Sequence, residues 1–158
     1  MASEAEKQIL DVLDTYFSSY EKLDFDTCRK IWDSTHSKLT WKPTEDEETM
    51  TDFDAISAYL DANHAIDLQV FRPSEVKVID FIRDDVAFVF AHMICKFDVP
   101  DNAELRTAYQ SGSMTFVPGS EVRWQGTSSF VLHKVEGAWK LIHYEDSTPW
   151  NLKNNWDG

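Results

Sequence analysis

Positive charge is scarce in this chain. Fifteen Lys and Arg face twenty-eight Asp and Glu, which leaves a formal net charge of −13 across 158 residues. A field of that sign repels phosphate backbones and anionic lipid surfaces, so neither nucleic acid nor a membrane is expected as a partner. Cysteine is nearly missing as well. Cys28 and Cys95 are the two present, and neither belongs to a CxxC pair or a Cys/His cluster. They read as reduced, buried thiols of a cytoplasmic protein. No run approaches the ~20 apolar residues of a membrane span. The charged start, MASEAEKQIL, lacks the apolar segment of a signal peptide. HExxH, GxxxxGK[ST], GxGxxG and GxSxG are all absent. Metal, nucleotide and dinucleotide sites therefore have no support, and no cofactor is expected. There is no repeat, linker or low-complexity tract, so residues 1–158 read as one domain with one core.

Aromatic residues are plentiful: ten Phe, six Trp and five Tyr, 13% of the chain. Their spacing organises the N-terminal third. Ile9, Leu10, Leu13, Tyr16, Phe17 and Tyr20 recur at three and four residues, which predicts a helix over 4–22 opened by a Ser3/Glu6 capping box. Asp24 reads as the N-cap of a short helix over 25–33. A brief strand at 39–41 ends at Pro43, and Thr51 or Asp52 caps a third helix over 53–64. The acidic run Glu45 to Glu48 between them reads as a solvated loop. Four strand-like segments follow, at 66–82, 86–99, 107–134 with a break near Pro118-Gly119, and 138–147. Helices first and a meander of strands after predicts an α+β fold.

Segment 86–99 is apolar on both alternating faces: Ala87, Val89, Ala91, Met93, Cys95 and Phe97 on one, Phe88, Phe90 and Ile94 on the other, with His92 among the second set. Helices can cover one face of an antiparallel sheet, so the second asks for other cover. A second copy of the chain provides it, and a homodimer through the outer sheet face is expected.

The closing segment, Thr127 to Ser147, reads as two strands joined at Glu136-Gly137. Simple alternation puts Trp139, Leu141, His143 and Glu145 on one face, and Lys140, Ile142, Tyr144 and Asp146 on the other. An apolar base leading into a His and a Glu reads as a pocket wall, or equally as a strand end capped near water. His36, His64 and His133 lie near element ends, where solvent is expected.

The stretch GAWKLIHYEDS, 137–147, resembles the Gly-x-Trp-(Lys/Arg)-(Ile/Leu)-x-His-x-His-x-Ser closing strand of SnoaL-like and ketosteroid-isomerase-like members of the nuclear transport factor 2-like (NTF2-like) superfamily. It is also similar to the closing strand of the calcium/calmodulin-dependent kinase association domain. Leu23-Asp24 occupies the family's Gly-Asp position, and Asp85-Val86-Ala87 resembles its turn-then-Ala strand start. The resemblance spans about 5–147 and implies three N-terminal helices packed on a curved, mostly antiparallel sheet, with a cavity between the first and third helices and the concave face. It places His143, Glu145 and Tyr16 as catalytic candidates, and Tyr20, Trp41, Tyr59 and Met93 around a small apolar molecule. Glu145 stands where the family has a second His. The family's strand Arg falls near Phe130, with Arg123 as its substitute. The implied function is cofactor-independent lyase, isomerase or cyclase chemistry, with His143 and Glu145 moving a proton and Tyr16 holding a developing oxyanion. The alternative is a non-catalytic ligand-binding module or dimeric scaffold.

Overall fold

The computed structural model describes residues 2–46, 48–103 and 116–148. Helix α1, Glu4–Glu21, starts at the expected capping box: Ser3 Oγ accepts from the Glu6 amide at 3.2 Å, and the Glu6 carboxylate accepts from the Ser3 amide at 2.5 Å. It buries Ile9, Leu13, Tyr16, Phe17 and Tyr20 of the stripe that its spacing predicts, and leaves Leu10 half-buried at the edge. Leu23 stops it in the left-handed region at φ 56°, with the Asp24 amide returning to Ser19 O at 2.9 Å. A side chain larger than glycine is strained in that conformation, which costs on the order of 1 kcal/mol. Asp24 caps α2, Phe25–Ile31, by accepting from the Thr27 amide, and Asp52 caps α3, Phe53–Ala62, by accepting from the Ala55 amide at 2.8 Å.

The remaining strands are β1, Thr40–Lys42; β2, Asp67–Arg83; β3, Val86–Asp98; β4, Glu121–Val135; and β5, Ala138–Ser147. They form one sheet in the order β1-β5-β4-β3-β2, antiparallel except for the parallel β1–β5 pair. The fold is thus the expected α+β arrangement of three helices packed on a mostly antiparallel sheet. The β4–β5 hairpin turns at Glu136 (φ 51°) and Gly137 (φ 86°); positive φ at both central residues is the type I′ geometry that matches the twist of the strands. The beginning of the expected third strand, from about 107, lies outside the described residues, as does the tail carrying Trp150 and Trp156.

The sheet's inner face and α1 enclose the core. From β3 it takes Ala87, Val89, Ala91, Met93, Cys95 and Phe97, and from β4 Val122, Trp124, Phe130 and Leu132. The outer row of β3, Val86, Phe88, Phe90 and Ile94, is half-buried in the single chain, while His92 is exposed.

Strand β5 departs from simple alternation. Val131 pairs with His143 and Leu132 with Leu141, so Ile142 is an extra residue on β5. A bulge of one residue reverses the facing of everything beyond it. Trp139 and Leu141 face the core, but after the bulge so do Tyr144 and Asp146. His143 and Glu145 turn to the outer face, contrary to the reading that aligned them with Trp139 and Leu141.

Candidate functional site

Beyond the bulge the inner face of β5 is polar, yet it stays buried. Tyr144 is fully enclosed and lies between Phe130, at 4.7 Å between ring centroids, and Trp41, at 5.3 Å. One step on, Asp146 is buried opposite Ser128, whose hydroxyl donates to Asp146 Oδ1 at 2.5 Å. Burial among rings raises the Asp146 carboxyl to about 7, against the pull of the Ser128 and Tyr144 hydroxyls; the charges of Glu45 and Glu145 push the same way as burial. At neutral pH this group is poised between acid and base.

Asp146 borders a cavity of about 40 Å³ whose walls include Tyr20, Tyr59, Phe71 and Trp124. That is room for roughly three waters at about 10–15 Å³ of such volume each. Glu45 borders it too. It is not part of a solvated loop, as its acidic run implied: the residue is 7% exposed and accepts from the Tyr59 hydroxyl at 2.6 Å. The β1 strand reaches the sheet through its pairing with β5, and the turn after it folds Glu45 inward over the end of α3. Cys95 lines the same space; burial first, and then the charges of Asp146, Glu45 and Glu21, hold its thiol far above the ordinary range and therefore protonated.

The residues expected at the site are distributed as follows. Tyr20 and Tyr59 line the cavity, and Trp41 stands behind them, 4.6 Å from the Tyr59 ring. Tyr16 is core: its hydroxyl accepts from Trp32 Nε1 at 3.4 Å, and its ring meets Phe17 at 5.2 Å and Tyr144 at 6.2 Å. Met93 is buried on the inner face, one inward position before Cys95. Arg123 is on the outer row of β4, with Nε 2.9 Å from the Glu121 carboxylate, while its neighbour Trp124 points inward. His143 shares hydrogen bonds with Thr40 Oγ1 at 2.7 Å and Ser129 Oγ at 3.3 Å on the outer face. Partial burial lowers its pKa, against the opposing charge of Glu145. Glu145 itself is exposed. His133 is not solvated as expected: it holds Asp33 at 2.7 Å, tying the segment after α2 to β4.

Sequence reading therefore missed Glu45, Ser128 and Asp146. The adjacent apolar pair Leu141-Ile142 is the trace of the bulge that hid Asp146. Among the described residues no group of three or more His, Cys, Asp or Glu could hold a metal ion, and no helix is long and apolar enough to cross a membrane.

No protein-family model matches the chain, and no curated protein matches it in sequence. Solved structures do match it. A candidate dehydratase from the NTF2-like family of Streptomyces avermitilis has a TM-score of 0.68 at 14% identity, over 90% of this chain and 95% of that one. A candidate scytalone dehydratase from Novosphingobium aromaticivorans has a TM-score of 0.67 at 14% identity, over 90% and 83%. A candidate calcium/calmodulin-dependent protein kinase II association domain from Xanthomonas campestris has a TM-score of 0.68 at 15% identity, over 95% and 91%. At identities this low, these matches show a shared fold and nothing beyond it.

Proposed function

We propose that this chain, with its NTF2-like fold, is a cofactor-independent lyase or isomerase of the SnoaL-like and ketosteroid-isomerase-like kind, acting in the cytoplasm on a small, apolar, oxygenated molecule. The observation that carries this reading is Asp146, a buried carboxyl with a pKa raised to about 7, beside a second buried carboxyl at an aromatic-walled cavity. Two titratable groups whose environments differ are the usual basis for dividing acid and base roles. In a dehydration, Glu45 takes a proton from the carbon next to a carbonyl. The bond from the adjacent carbon to its hydroxyl breaks, and protonated Asp146 delivers its proton to the departing oxygen, which leaves as water. Glu45 ends protonated and Asp146 ionised, and transfer of one proton between them through water resets the site. Tyr59 orients Glu45 through their 2.6 Å hydrogen bond, and Ser128 does the same for Asp146 at 2.5 Å. Candidate dehydratases among the structural neighbours support this class. A substrate larger than the cavity enters by displacing the rings that wall it.

Turnover of a panel of β-hydroxy ketones and enolisable ketones by wild type, Asp146→Asn and Glu45→Gln tests this. General acid–base participation predicts a drop of roughly 10²- to 10⁴-fold in each variant. Equal rates in all three, or no turnover by wild type, remove the catalytic reading.

The second reading is a dimeric, non-catalytic ligand-binding module. The half-buried outer row Val86, Phe88, Phe90 and Ile94 favours it, as does the modest cavity. The chain associates with itself through that row under either reading. Sedimentation at micromolar concentration should give a dimer, and a monomer there rules out the association.

A further inference from the structure

We propose that the inner cavity receives the ammonium head of a small apolar amine. This rests on the cavity being a small-molecule site, and it specifies the class of molecule. Two observations carry it. First, Asp146 is buried with a hydroxyl, Ser128, as its partner, and no Lys, Arg or His among the described residues lines the cavity. A carboxylate out of water needs a proton or a cation beside it. Second, aromatic rings stand around that carboxyl. Tyr20 meets Phe71 at 4.9 Å and Phe71 meets Trp124 at 6.2 Å, both nearly edge to face, and all three border the cavity. Aromatic walls beside a carboxyl suit a desolvated cation.

Size and field agree with this. A volume of about 40 Å³ suits an ammonium group and its first carbon, while the apolar remainder of the molecule meets Leu68, Phe97 and Phe116. The net charge of −13 draws cations towards the chain and repels carboxylates.

The test uses three probes of one shape, n-butylamine, 1-butanol and butyrate, titrated into the wild-type chain by calorimetry or by chemical-shift changes. At pH 8 the amine should bind at least about tenfold tighter than the alcohol, with butyrate weakest. Between pH 6 and pH 8 its affinity should rise about tenfold, following the ionised fraction of a group that titrates near 7. Asp146→Asn should lose both the preference and its pH dependence, and Tyr20→Leu should weaken the preference. The wild-type series alone decides the matter if a variant fails to fold. Alcohol binding as tight as amine, a preference for butyrate, no binding of any probe, or an amine preference that survives in Asp146→Asn overturns the proposal. Asp146-dependent turnover of neutral ketones without amine preference would sink this inference and leave the acid–base reading standing. Amine preference with no turnover would do the reverse.

Discussion

Glu145 and Asp146 are adjacent carboxyls on one strand, and they occupy opposite environments. Glu145 stands in water on the outer face; Asp146 is buried against Ser128 and beside an aromatic cavity. A comparable contrast separates His143, on the outer face between two hydroxyls, from Tyr144, stacked between Phe130 and Trp41. Chemical type does not decide which residue is a candidate for catalysis. The phase of the strand does, and here a single extra residue, Ile142, sets it.

Substitutions sharpen this contrast, and the largest effect belongs to pH. An acid whose folded pKa, about 7, lies above its unfolded value of 3.8 makes the native state the better proton binder between those limits. Stability therefore falls as pH rises from about 4 to 7 and stays low above that, a loss of roughly 4 kcal/mol at 1.36 kcal/mol per unit. Asp146→Asn should abolish that slope and melt at higher temperature than wild type at pH 8. Glu145→Gln, in water, should shift stability by no more than about 0.5 kcal/mol at any pH. Denaturant unfolding at pH 4.5 and pH 8 measures both, and equal slopes in the two variants would erase the distinction.

Gly126→Ala should follow in size. A Cβ at Gly126 would lie 2.2 Å from Ser147 O, where β4 and β5 close together beside the Ser128–Asp146 pair. Prising the strands apart costs about 1–3 kcal/mol, and the same variant should lower any Asp146-dependent turnover; unchanged melting would show that the strands are looser than this contact implies. Tyr144→Phe is the smallest change. It deletes a buried hydroxyl that helps hold down the pKa of Asp146, so the Asp146 midpoint should move up while the stack with Phe130 and Trp41 remains. An unmoved midpoint would show that the hydroxyl does not act on the carboxyl.

Much of the fold was legible because it is local. The α1 stripe, the Ser3/Glu6 box, the Asp24 and Asp52 caps and the Glu136-Gly137 turn each depend on residues within a few positions of one another. The cavity residues Tyr20 and Tyr59 were legible for the same reason, as apolar-face tyrosines of helices that must cover the sheet. The acids of the site were not. Glu45 looked like one member of a charged run, and its burial comes from a contact with Tyr59, fourteen positions on, that only the folded chain makes. Asp146 was assigned to the wrong face because alternation was extended through a bulge that no glycine marks. A run of two apolar residues inside an alternating strand, Leu141-Ile142, is the pattern to question in such a sequence.

The account turns on Asp146 being a buried acid that titrates near neutrality. The direct measurement follows the carboxyl carbon of Asp146 by nuclear magnetic resonance from pH 4 to pH 9, assigned by comparison with Asp146→Asn. A midpoint near 7 is the predicted result. A midpoint near 4, the ordinary value for a solvated aspartate, would contradict it.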